Sequence, residues 1–191
     1  MPTDQPNLTQ LLEEVLHDPD ITPQDLPNLD LYMDQIITLF DNKLQGGRPG
    51  EKPLTKTMIN NYSKERLIKP IKGKKYSREQ LLQILLIYVM KQSLNMQQIK
   101  EVLTAITDFA QDQPSCQEEE LLTQIYLGFL ENKNTQRAQI PDLLAQLDLN
   151  LADAASLPQL AILVLAMCAA SNYFKRFAQA IINTYFAPQE D

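Results

Sequence analysis

Residues 55–70 read TKTMINNYSKERLIKP, and within them Thr57, Asn60, Asn61 and Lys64 recur at i, i+3, i+4 and i+7. On an α-helix that spacing gathers four side chains into one stripe, with Met58, Ile59 and Tyr62 on roughly the opposite side. The stripe is equipped for one kind of chemistry. An asparagine amide donates and accepts at once, which matches the N6/N7 edge of adenine, while lysine and threonine reach phosphate oxygens or base edges. An ordinary solvated helix face has a similar composition, so the stripe alone leaves both readings open.

The charge around the stripe is lopsided. The 191-residue chain has a net charge of −7. Residues 43–78 nevertheless hold 11 Lys or Arg against two acids, Glu51 and Glu65, a local +9. The remaining six basic and 22 acidic residues leave the rest of the chain at −16. Such asymmetry marks a localised anion-binding surface. Lys56, Thr57, Asn60, Asn61 and Lys64 are expected to line a face that enters the major groove of double-stranded DNA. Lys72, Lys74, Lys75 and Arg78 are expected to flank the duplex, with Arg48 and Lys52 reaching phosphates from the preceding loop. Six phosphate contacts would give a salt slope of about −5, at roughly 0.9 per contact.

Other chemistries find few residues. His17 is the single histidine, so no Ser/His/Asp or Cys/His set assembles around it. Cys116 and Cys168 lack metal-site spacing; Cys168 is expected in the core, Cys116 in a polar loop, and a reduced cytoplasmic chain is simpler than a disulfide between them. QGGRPGEKP (45–53) lacks the GxxxxGK[ST] pattern of a phosphate loop. Glu118–Glu120 suits a helix start better than a metal site. The expectation is a non-enzyme with no catalytic residue, metal or cofactor.

Those residues need elements to hold them. Five glycines and no tryptophan argue against an all-β fold, and Leu/Ile/Ala/Gln/Glu stretches argue for helices. Apolar periodicity and caps predict helices over 8–17, 29–44, 55–66, 78–92, 96–110, 118–133, 140–150 and 156–186. Thr55, the Ser77/Gln80 pair and the Asn95/Gln98 pair are expected caps. IKGKKY (71–76) is short and basic around Gly73 and predicts a tight β-hairpin. The longest apolar run, LAILVLAMCAA (160–170), is too short to cross a bilayer and predicts a buried helix, with no membrane partner. The expected fold is all-α with at most a small β-hairpin wing. Residues 1–24 form an N-terminal helix and connection, 25–112 a winged helix-turn-helix, and 113–191 a helical domain. That last part is expected either to join a homodimer or to enclose a small apolar effector beside Tyr126, Phe129, Met167 and Phe174; plain core is the simpler reading for most of these.

The stretch LTKTMINNYSKERLIKP…KKYSREQLLQILLIYVMKQSLNMQQIKEVL resembles the DNA-binding domain of MerR-type transcription regulators. Ile59, Asn60, Asn61 and Tyr62 stand at that family's Leu-Arg-Tyr-Tyr positions, and Leu67, Ile68 and Pro70 at its Leu-Leu-Pro positions. Lys75 and Tyr76 stand near its wing tyrosine, which is what adds Tyr76 to the expected DNA-binding set. The family's arginine is replaced by Asn60, its first tyrosine by Asn61, and the glycine before its Leu-Leu pair by Arg66. Over roughly residues 25–185 the chain is closer to an uncharacterised bacterial family, domain of unknown function 1836, on LPNLDLYMDQIITLF, LTKTMINNY and KKYSREQLL. The MerR resemblance implies a transcription regulator that binds duplex DNA. The alternative expectation is a winged-helix adaptor whose basic face docks an acidic protein.

Overall fold

A computed structural model describes residues 7–44, 53–71, 73–113, 115, 117–145 and 156–187. Among them are seven α-helices: α1 (Leu8–Leu16), α2 (Met33–Lys43), α3 (Lys56–Lys64), α4 (Arg78–Met90), α5 (Met96–Asp112), α6 (Glu118–Ala145) and α7 (Leu157–Tyr185). Two short strands, β1 (Leu31–Tyr32) and β2 (Lys75–Tyr76), form one antiparallel pair. The chain is all-α with a minimal sheet.

The core is built around α4. Eight successive residues, Gln80–Ile87, are buried, so this helix is covered on every side. α6 packs against it through Leu122, Tyr126 and Leu130, and α5 through Ile99, Leu103 and Ile106. Ile36 and Phe40 of α2 and Ile59 and Tyr62 of α3 complete one continuous cluster that runs from Ile21 to Leu130. The connection at 18–27 is more than a linker. It buries Ile21 and Leu26, and Thr22 donates its backbone N–H to Asp25 (2.8 Å) in a short 3₁₀ turn. A hydrogen bond with Lys43 (2.6 Å), with help from Thr22, holds the Asp25 carboxyl below its ordinary pKa against its own burial.

Three expectations change. The strand pair is not a local hairpin within 71–76. Leu31 pairs with Tyr76 and Tyr32 with Lys75, so β2 closes across α2 and α3 onto the segment that leads into them. The helices expected at 118–133 and 140–150 are joined, and α6 continues through Pro141. No glycine or proline interrupts 134–139, and Leu144 is buried beyond Pro141. The third concerns α7. Of its 29 residues only Leu163 and Ile182 are buried, and it touches the rest mainly through α5. The run at 160–170 is therefore not a buried helix, and Cys168 is exposed rather than in the core. By length and composition alone, α7 is apolar enough to cross a membrane, with a mean hydropathy of 1.5 in its best window.

Candidate nucleic-acid interface

α3 starts where Thr55 accepts from the Met58 backbone N–H (3.2 Å). Ile59 and Tyr62 anchor it in the core, with Met58 half-buried. Burial raises the Tyr62 pKa, which fits a phenol serving as core rather than as a phosphate contact. Lys56, Thr57, Asn60, Asn61 and Lys64 are all exposed. The side chains of Thr57, Asn60, Asn61 and Lys64 bond to no other described residue. Lys56 pairs with Asp34 of α2 (2.6 Å), but both side chains are mostly exposed, so the pair contributes at most about 1 kcal/mol.

The helix ends on a strained residue. Arg66 has φ +57°, in the left-handed region that favours glycine. Arg66 N–H donates to Ser63 O (3.2 Å) and Leu67 N–H to Tyr62 O (2.9 Å), which closes the last turn and aims Leu67 and Ile68 into the core. A side chain at this φ costs backbone energy that a glycine would not, so Arg66 holds the turn at a cost.

The basic residues after α3 divide into two groups. Lys74 and Lys75 are exposed beside the turn at Gly73, which takes φ +74°. Lys75 Nζ lies 5.1 Å from the centroid of the Tyr32 ring, which is half exposed, so β1 adds an aromatic to the wing's surface. Tyr32 is a residue that sequence reasoning missed, because only the non-local strand pairing brings it there. Lys72, Arg48 and Lys52 lie outside the described residues.

The other group faces inward. Tyr76 is 3% exposed, its strand partner is Leu31, and its hydroxyl bonds with Ser63. Burial raises its pKa, partly offset by that bond. Arg78 donates to Leu26 O and Pro23 O (both 2.7 Å) and pairs with Glu119 (3.2 Å). Its guanidinium clamps the 23–26 turn to α4 and α6.

Lys69 likewise turns inward, pairing with Glu118 (2.6 Å) and with Glu79. Its backbone N–H donates to Gln83 Oε1 (3.0 Å), and Gln80 Nε2 donates to Lys69 O (3.0 Å) and Pro70 O (3.2 Å). Burial works to lower the Lys69 pKa, but the bonds to Glu118 and Glu79 outweigh it and the net shift is upward. This cluster fixes how the chain leaves α3 and enters the wing. Gln80 also closes the expected capping box with Ser77, accepting from its backbone N–H (2.8 Å).

The residues expected around an effector do not converge. Tyr126 and Phe129 line a cavity of about 210 Å³ with Ile21, Leu85, Tyr88 and Lys133, whereas Met167 and Phe174 are exposed on α7. Burial, reinforced by the nearby Asp20 carboxylate, pushes the Tyr126 phenol well above its usual range.

A family model described as "Domain of unknown function (DUF1836)" matches residues 21–129, more than half of the chain. The chain belongs to this family. The DUF1836 region takes in β1, α2, α3, β2, α4, α5 and the first turns of α6. It ends before α7, short of the extent that the sequence resemblance suggests. The family's description assigns no activity. No curated protein and no solved structure matches the chain.

Proposed function

We propose that this protein is a cytoplasmic, non-enzymatic transcription regulator that binds double-stranded DNA, with α3 as the reading helix and the β1–β2 wing beside it. One observation carries the reading: Thr57, Asn60, Asn61 and Lys64 stand on one exposed stripe of a helix whose other side is locked in the core by Ile59 and Tyr62. Rigid seating matters, because bidentate contacts to base edges need side chains held in register on a fixed axis. The MerR resemblance of residues 54–103 supports the same assignment. Asn60 and Asn61 supply base-edge donors and acceptors; Lys56, Lys64, Lys74 and Lys75 supply phosphate contacts. Arg78 and Tyr76 act as supports for this surface rather than as contacts.

The second reading, an adaptor for an acidic protein segment, draws on the exposed Lys56, Lys64, Lys74 and Lys75, which attract carboxylates as well as phosphates. Asp34, three-quarters exposed beside Lys56, would repel either partner at the edge of that face.

Fluorescence anisotropy with duplexes from the protein's own gene neighbourhood and with random duplex, at several salt concentrations, tests the proposal. With Arg78 committed to the fold, four phosphate contacts predict a salt slope of about −4. Sequence-selective binding with such a slope supports the regulator. Uniformly weak binding to every duplex, together with tight binding of an acidic peptide, would favour the adaptor.

A further inference from the structure

Among the described residues, almost nothing packs against the apolar helix α7. From Leu160 to Ala170 it carries no polar side chain on any side. Ten large apolar residues between Leu157 and Tyr185 are 36–80% exposed, among them Val164, Leu165, Tyr173, Phe174 and Phe177. With aromatics covering about 150–250 Å² each when buried, this surface, summed around the whole helix, is on the order of 1,000 Å². Monomeric proteins rarely expose more than a few hundred Å² in one patch, and a stable interface needs about 800 Å² from each partner.

We infer that the occupant is a second copy of this chain, and that α7 is the centre of a homodimer interface. Charge points to a copy of itself. Two chains of net −7 repel over most of their surfaces. α5 and α6 both carry acids, but between Leu157 and Tyr185 there is none, and Lys175 and Arg176 are the only charges. Two protomers meet with least repulsion along α7. The helix also carries a seam suited to self-packing. Leu157, Ala161, Val164, Cys168 and Ser171 recur at intervals of four, three, four and three, and all are exposed about a third of a turn from Leu163, in the half of α7 before the buried Ile182. Small residues there let two helices approach closely across a two-fold axis.

A bilayer fits less well. The polar-free run of eleven residues is about 16 Å long at 1.5 Å per residue, half the roughly 30 Å of hydrocarbon. A span of about 20 residues begun at Leu157 would still take Gln159, Ser171, Asn172, Lys175 and Arg176 into lipid.

The test is analytical ultracentrifugation of the full chain without DNA, so that it stands apart from the DNA-binding proposal. The parent is expected at twice its 21.8 kDa mass at micromolar concentration. Val164→Glu/Leu165→Glu changes two exposed residues, so the folded monomer should persist by circular dichroism while dimer affinity falls at least about 100-fold. A monomeric parent at tens of micromolar overturns the inference. So does a dimer that survives the double substitution. A parent that stays monomeric and co-sediments with phosphatidylcholine vesicles overturns it in favour of lipid.

Discussion

Replacing Lys69 with methionine keeps most of the aliphatic stem and removes the cation from between two carboxylates. Glu118, whose side chain is 9% exposed, keeps Thr107 (3.0 Å) and Gln83 (3.4 Å) on Oε1 but loses the partner of Oε2. Glu79 Oε1 is buried and has no hydrogen bond apart from its ion pair with Lys69. An orphaned buried acceptor costs about 1–3 kcal/mol, more when charged. The Lys69 side chain is 38% exposed, and water screens part of the attraction, so the expected loss is about 2 kcal/mol. At about 2–4 °C per kcal/mol for a chain of this size, Tm should fall by about 4–8 °C. Thermal and urea unfolding followed by circular dichroism measure it, with the urea m-value unchanged. The sign with pH is fixed by the upward shift. A lysine whose folded pKa is raised contributes fully below its unfolded value of 10.5, and that contribution is lost as pH rises through the folded value. The gap between parent and Lys69→Met should therefore be constant at neutral pH and shrink above about pH 10.5. A loss under about 0.5 kcal/mol, or a gap indifferent to pH across that range, would refute the view that this cluster holds the α3 exit in place.

Four further outcomes follow from the same geometry. Arg66→Gly relieves a positive φ and should raise stability by about 0.5–1 kcal/mol in urea unfolding, net of glycine's own entropy cost. Arg78→Ala should lower stability by about 2–3 kcal/mol by freeing the Pro23 and Leu26 carbonyls, while the salt slope of DNA binding stays as in the parent. Asp34→Asn should leave stability within about 0.5 kcal/mol but tighten duplex binding several-fold at low salt, measured by anisotropy. Alkaline titration should show cooperative unfolding beginning above about pH 10, because Tyr62, Tyr76 and Tyr126 all have raised folded pKa values and their unfolded forms ionise first.

Local signals carried much of the fold. The Ser77/Gln80 and Asn95/Gln98 capping boxes mark the starts of α4 and α5, and the strongly apolar composition of α4 fits its burial on all sides. The outward stripe of α3 was legible for the same reason: a 3.6-residue period sorts core from surface before any tertiary contact is known. What failed is what periodicity does not encode. α7 is as apolar as α4, but composition does not say which element covers a helix, and among the described residues little covers α7. Arg78 lies in a basic run and looks like another phosphate contact. Its acceptors sit 52 and 55 residues earlier, and no local pattern announces them. β2 finds its partner across two helices, which is why a hairpin was expected and why Tyr32 was missed. Lys69, likewise, is one of 11 basic residues in 43–78 by sequence and an internal tie in the fold.

The central claim is that Asn60 and Asn61 face bases. The most direct measurement is the ratio of specific to random duplex affinity for the parent, Asn60→Ala and Asn61→Ala, at one fixed salt concentration. Each lost bidentate contact is worth about 1–3 kcal/mol, so the ratio should fall by roughly 5- to 150-fold in at least one variant, with random-duplex affinity and salt slope unchanged. An unchanged ratio in both variants, or a parent that binds no duplex at about 0.15 M salt, would contradict α3 as a reading helix.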